Sequence, residues 1–243
     1  MSIKERLIVA LDVNNKEEAF KLVDELYDVV GYFKIGMQLY YSCGNELVTA
    51  ILERGGKVFL DLKLHDIPNT VYQASRVIAG LGVSMTNFHA GGGSEMITKA
   101  VEGLKTVSTP PLALAVTVLT SLDETNLSEL GINNNVATTV MNWAELAKEN
   151  GCNGVVCSPK EIELVKRSCG KDFITVTPGI RPAWSVKNDQ KRITTPYDAM
   201  LQGGDYIVIG RPIRSAENPR EAALKIVAEM QEGYQAYLKK TNL

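Results

Sequence analysis

Lys57-Val58-Phe59-Leu60-Asp61-Leu62-Lys63-Leu64-His65-Asp66-Ile67-Pro68-Asn69-Thr70 changes character halfway along. Lys57-Val58-Phe59-Leu60 reads as the interior of a parallel strand covered on both faces, because such strands are near-continuous apolar runs. Charge then enters: Asp61, Lys63 and Asp66 place two carboxylates and an ammonium within six residues. While the chain stays extended, residues two apart leave the same face, so Asp61 and Lys63 point together. Asp66 stands just before a predicted helix that opens at Pro68, a residue suited to a first turn. Taken alone, the stretch fits an ion pair at a strand end as well as it fits a reactive site. Whether other strands end in the same way decides between the two, and the same comparison decides the fold.

Upstream, Leu7-Ile8-Val9-Ala10-Leu11 is a strand ending at Asp12. A helix over Lys16 to Tyr27 follows, with Ala19, Leu22, Val23 and Leu26 on a 3.6-residue stripe. Tyr32-Phe33-Lys34-Ile35-Gly36 is a second, short strand, and a helix over roughly 38–54 stops at Gly55-Gly56. Downstream of the opening stretch come a helix over roughly 68–80 and a fourth strand, Val83 to Phe88. His89-Ala90-Gly91-Gly92-Gly93 then leads into a helix from Ser94 to about Leu104. Pro111 to Val118 is a fifth strand, and the long connection to about Asn134 holds a small extra helix before the main one at 136–150. Asn153 to Cys157, Phe173 to Thr177 and Asp205 to Ile209 complete the strands. Their helices run from Pro159 to about Arg167, over about 193–202, and from Pro219 to about Lys239.

Eight βα units without a linker or a break in composition predict an α/β fold, a single (β/α)8 TIM barrel forming one domain over residues 1–243. The alternative is a doubly wound sheet. Against it, Asp12-Val13-Asn14-Asn15 after the first strand lacks the glycine fingerprint of a dinucleotide site.

Composition narrows the function. A net charge of -2 with both signs interspersed offers no basic stripe, so nucleic acid is not an expected partner. The N-terminal residues lead into a strand-like run far too short for a signal sequence or a membrane span, which points to a cytoplasmic protein and no membrane partner. Cys43, Cys152, Cys157 and Cys169 form no C-x-x-C pair and read as reduced and structural. With only two histidines in the chain, a zinc site is poorly supplied, and no metal is expected.

Active sites on a barrel gather at the C-terminal ends of its strands. Asp12, Lys34, Asp61 and Lys63 fall at or near such ends on strands one, two and three, which are neighbours in a barrel. Each alone suits a helix cap or a salt bridge; together they favour a site. A second constellation follows strands seven and eight, where barrels often hold phosphate. Thr177-Pro178-Gly179-Ile180-Arg181-Pro182 and Gly210-Arg211-Pro212-Ile213 each supply glycine, which admits close backbone approach, and arginine, which binds phosphate oxygens in bidentate fashion. The polar stretch 182–195 reads as a mobile lid carrying Gln190. His65 and His89 read as a surface or loop residue and a packing residue at the barrel mouth.

Asp61-x-Lys63-x-x-Asp66-Ile67-Pro68-Asn69-Thr70, with Phe33-Lys34-Ile35-Gly36 and both arginine loops, closely resembles the orotidine 5′-phosphate decarboxylase family of the bacterial type. The match runs in order over nearly the whole chain. The resemblance implies decarboxylation of orotidine 5′-monophosphate to uridine 5′-monophosphate and CO2, the last step of UMP synthesis, without metal or organic cofactor. It implies that Lys63 protonates the carbon from which CO2 departs, that Asp61 is set against the substrate carboxylate, and that Lys34 holds Asp61 charged and touches the ribose. It also implies a homodimer in which Asp66, Ile67 and Thr70 reach the partner's site. Asp12 matches a base or ribose contact, Thr120 a contact in the fifth loop, and Arg181, Gln190, Gly210 and Arg211 a phosphate grip. The alternative within the superfamily is a metal-dependent phosphosugar decarboxylase or aldolase. Those relatives carry a metal-binding carboxylate on the second strand, where Lys34 would repel Mg²⁺.

Overall fold

Strands β1 (Leu7–Ala10), β2 (Tyr32–Gly36), β3 (Val58–Leu64), β4 (Met85–His89), β5 (Leu112–Val116), β6 (Gly154–Val156), β7 (Ile174–Thr177) and β8 (Tyr206–Ile209) follow one another around a closed barrel in chain order. The structure, a computed structural model, describes residues 2–185 and 194–241. Helices α1 (Lys16–Leu26), α2 (Met37–Glu53), α3 (Pro68–Gly80), α4 (Gly93–Leu104), α5 (Glu124–Glu129), α6 (Val136–Glu149), α7 (Ile162–Cys169), α8 (Pro196–Leu201), α9 (Arg211–Arg214) and α10 (Pro219–Thr241) occupy the connections. The predicted (β/α)8 barrel is therefore the observed fold. No helix among the described residues is long and apolar enough to cross a membrane.

Contacts gather the chain into two compact units, residues 1–61 with 177–243, and residues 62–176. In the first, β1 lies between β8 and β2, and every residue of β1 is buried. The parallel register sets Ala10 level with Lys34, Lys34 level with Phe59, and Gly36 level with Asp61. Asp61 therefore stands two residues beyond the level of Lys34, and the lysine side chain reaches along the strands to meet it, Nζ 3.4 Å from Asp61 Oδ2. Outside the strands, α10 seats against α8 where Gly233 has no side chain; a Cβ there would fall 2.3 Å from the Tyr197 carbonyl oxygen. Below, the Arg6 guanidinium lies over the Tyr234 ring, 4.7 Å from its centre.

In the second unit, β4, β5, β6 and β7 pair in parallel, and Phe88, Ile97, Val140, Val155 and Val165 are fully buried in one apolar cluster. Gly154 permits the close pairing of β6 with β7, since a Cβ there would lie 2.2 Å from the Ile174 carbonyl oxygen. Gly103 does the same for α4 against α3, at 2.5 Å from the Tyr72 carbonyl oxygen. Cys152, Cys157 and Cys169 are buried, Cys43 is half-buried, and all four are free thiols, as expected. Burial pushes the Cys152 thiol up to about 12.

The elements depart from expectation in detail. Within α2, Gly44 takes a φ of 68°, a left-handed turn that interrupts the helix predicted as continuous. The helix predicted from Pro159 divides into a 3-10 turn, Pro159–Glu161, and α7, because Ser158 and Glu161 cap each other's backbone and close the first turn early. The extra helix foreseen after β5 is α5, capped by Asp123. The helix predicted over 193–202 opens at Pro196 after the Thr195 cap, with residue 193 outside the described residues. No helix was expected at α9, four residues that begin at Arg211.

Candidate active site

Lys34 is the hinge of the charged cluster. Its Nζ donates to Asp12 Oδ1 at 3.1 Å and lies 3.4 Å from Asp61 Oδ2. The Lys34 and Asp61 side chains are 12% and 11% exposed, whereas Asp12 is 49% exposed. A buried ammonium without partners loses hydration that nothing replaces; two carboxylates replace it here. The absence of a side chain at Gly36 leaves the room, since a Cβ there would stand 3.1 Å from Lys34 Nζ. The ammonium thus lies between the two acids. Among the described residues, no three His, Cys, Asp or Glu side chains gather as a metal site requires.

Asp12 and Lys34 open onto a cavity of about 930 Å³ whose walls include Gly179, Arg181, Gly210 and Arg211. The acid–lysine cluster and the two arginine loops, read from separate stretches of sequence, therefore share one cavity. Gly179 takes a φ of 79°, a conformation open to glycine, and lets the chain turn sharply after β7. The Arg181 N–H donates to the Thr194 carbonyl at 3.1 Å, which ties its loop back upon itself. Gly210 passes close to the cluster, with its Cβ position 3.6 Å from Asp12 Oδ2. Gln190 lies outside the described residues.

In the unit of residues 62–176, Lys63 has a φ of 53° and is the one non-glycine residue with positive φ among those described. Left-handed backbone costs an L-residue about 1–2 kcal/mol. The extended alternation used to predict a shared face for Asp61 and Lys63 is thus interrupted at Lys63 itself. The Lys63 N–H donates to Asn87 Oδ1 at 2.9 Å. His65 is exposed and His89 half-buried, with ring centres 5.2 Å apart, in keeping with a loop residue and a packing residue. Asp66, Ile67 and Thr70 sit exposed at the start of α3, Ile67 at 67%. The Ile67 N–H donates to Asp66 Oδ1 at 2.6 Å, which fixes the carboxylate at the helix entry. Thr120 is exposed in the turn after β5.

Three contributors escaped the sequence reading. Gly36 carries a packing role that only the lysine's direction reveals. Arg214, on α9, lines the same cavity as Arg181 and Arg211, and the helix that brings it there is too short to show periodicity. Asn87 did leave a signal: an amide inside the apolar run of a buried strand has to be paired.

A closed parallel barrel bearing this charged cavity defines an enzyme of the (β/α)8 class. The profile of the Orotidine 5'-phosphate decarboxylase / HUMPS family matches residues 5–226. The chain belongs to that family. It is 54% identical over 239 residues to the orotidine 5'-phosphate decarboxylase of Syntrophomonas wolfei, covering 96% of this chain and all 100% of that one. It is 51% identical to the corresponding protein of Geotalea daltonii, covering 94% and 97%. The crystal structure of orotidine 5'-phosphate decarboxylase from Lactobacillus acidophilus superposes with a TM-score of 0.81 at 41% identity, over 92% of this chain and 98% of that one.

Proposed function

We propose that the chain decarboxylates orotidine 5′-monophosphate to uridine 5′-monophosphate and CO2, as the final step of UMP synthesis in the cytoplasm. The observation that carries this reading is Lys34, held between Asp12 and Asp61 on the wall of a cavity that also receives Arg181 and Arg211. Arg181, Gly210 and Arg211, with Gln190, bind the phosphate; Asp12 and Thr120 contact the nucleoside. Asp61 faces the substrate carboxylate and Lys34 keeps it ionised. As the bond to the carboxylate carbon breaks, its electron pair stays on the pyrimidine carbon and is taken up by a proton from the Lys63 ammonium.

Two carboxylates about 4 Å apart at an effective dielectric near 20 repel by roughly 4 kcal/mol, about three decades of rate. The largest enzymic accelerations need on the order of 20 kcal/mol, so repulsion is a minor contributor. The greater part falls to Lys63, whose positive charge stabilises the carbanion as it develops. Binding energy from the distant phosphate offsets the unfavourable carboxylate contact. A metal-dependent phosphosugar reaction on the same fold is disfavoured because the Lys34 ammonium would repel a divalent cation between the two acids.

The test is the pyrimidine ultraviolet absorbance after mixing the protein with orotidine 5′-monophosphate in excess EDTA. Loss of the orotate band is expected, with none for Lys63→Ala. Arg211→Ala should lower kcat/KM by about 100-fold or more, the loss of charge-assisted hydrogen bonds to phosphate. An unchanged spectrum for the parent protein, or near-normal kcat/KM for Arg211→Ala, would refute the reading.

A further inference from the structure

We propose that Asn87 is a positioning residue for decarboxylation, holding the backbone of Lys63 in the left-handed conformation that aims the proton donor. The inference rests on the reading of Lys63 as that donor. Two independent features converge at this contact. Lys63 has a φ of 53° inside a strand, where lysine has no intrinsic reason to leave extended backbone. Asn87 is a fully buried amide on β4, beside the equally buried Phe88. Such an amide is costly unless paired, and its Oδ1 accepts the Lys63 N–H at 2.9 Å. Because the donor is a backbone N–H, the amide's orientation follows: oxygen toward Lys63 and NH2 away.

The bond is made to the Lys63 backbone N–H, so it bears on the direction in which the side chain leaves the chain. If the Lys63 backbone relaxed to the extended form, its Cα–Cβ vector would swing toward the alternation of the strand, as a register slip turns side chains to the other face. A long side chain magnifies that rotation at Nζ. Proton transfer tolerates little of it, since misplacement by about 1 Å costs on the order of 100-fold in rate.

The experiment compares Asn87→Ala, Lys63→Ala and the parent enzyme in steady-state decarboxylation, in equilibrium binding of UMP, and in hydrogen exchange of peptides spanning Lys63. Asn87→Ala should lose about 100-fold in kcat while its UMP dissociation constant stays within about threefold and the Lys63 amide exchanges faster. Thermal unfolding confirms that the variant is native; should it fail to fold, Asn87→Ser, which keeps a short hydroxyl, carries the same measurements. A kcat within about threefold of the parent, or a kcat loss matched by an equal loss of UMP affinity, overturns the positioning role. Unchanged exchange at Lys63 overturns it as well. If Lys63→Ala is inactive while Asn87→Ala is normal, only the role of Asn87 falls. If Lys63→Ala still turns over, the proton-donor reading falls and this inference with it.

Discussion

Lys63 pays for its placement in backbone energy, and that cost can be measured apart from chemistry. Glycine enters left-handed backbone freely, whereas alanine meets the same clash as lysine. Lys63→Gly and Lys63→Ala should both lose turnover, yet the glycine variant should be more stable by about 1 kcal/mol, a rise in unfolding temperature of roughly 2–4 °C for a chain of this size. Equal unfolding temperatures would mean that the strain is relieved in solution. At this scale the sequence was informative where charge broke an apolar run. Asp12, Lys34 and Asp61 were legible because acids and a lysine at consecutive strand ends add nothing to an apolar core, and the structure joins them through Lys34. The conformation of Lys63 was not legible, because no local pattern tells a lysine to leave the extended region; a buried asparagine from the next strand supplies the reason.

Helices α8 and α10 meet through Gly233, and α3 and α4 through Gly103, where each glycine faces a backbone carbonyl of its neighbour. Backbone yields less readily than a side chain, so Gly233→Ala should destabilise the protein by about 1–3 kcal/mol despite alanine's better helix propensity, as denaturant melts would register. The capping turn before α7 makes a different prediction. Burial raises the Glu161 carboxyl above its ordinary 4.5, opposed in part by the Ser158 N–H and then by Lys160. A carboxyl raised in the fold destabilises the native state above its folded pKa, and that penalty fades as pH falls through it. Glu161→Gln, which keeps an acceptor for Ser158, should therefore raise the unfolding temperature near neutral pH and lose its advantage below about pH 4. Unfolding curves that shift equally at both pH values would assign the gain to something other than charge. Helix existence was readable from apolar periodicity; helix ends were not, because Ser158, Asp123 and Thr195 settle them through hydrogen bonds that periodicity ignores.

The barrel as a whole was legible because the βα unit recurs eight times, and repetition outweighs an error in any one unit. A partner subunit left no such pattern, since Asp66, Ile67 and Thr70 are exposed in the single chain and are given a role only by the family resemblance. We propose that Asp66, Ile67 and Thr70 complete the partner's site in a homodimer. Mixed dimers of Lys63→Ala and Asp66→Ala chains then hold one intact site in two, so activity should return on mixing two inactive preparations. Heterodimers shown to form yet without activity would reject the shared site.

The cavity that unites Asp12 and Lys34 with Arg181 and Arg211 draws its walls from residues 10–34 and 178–216. All of residues 35–177 are synthesised between the two. A ribosome releasing this chain in order therefore produces the acidic and lysine half of the cavity first and holds it without its arginines for most of translation. On the function proposed above, nascent chains interrupted before Arg181 lack the arginines that would hold the phosphate, so they should neither compete for nucleotide nor act upon it. The arginine wall of the cavity arrives late and all at once, with the closing stretch of the chain.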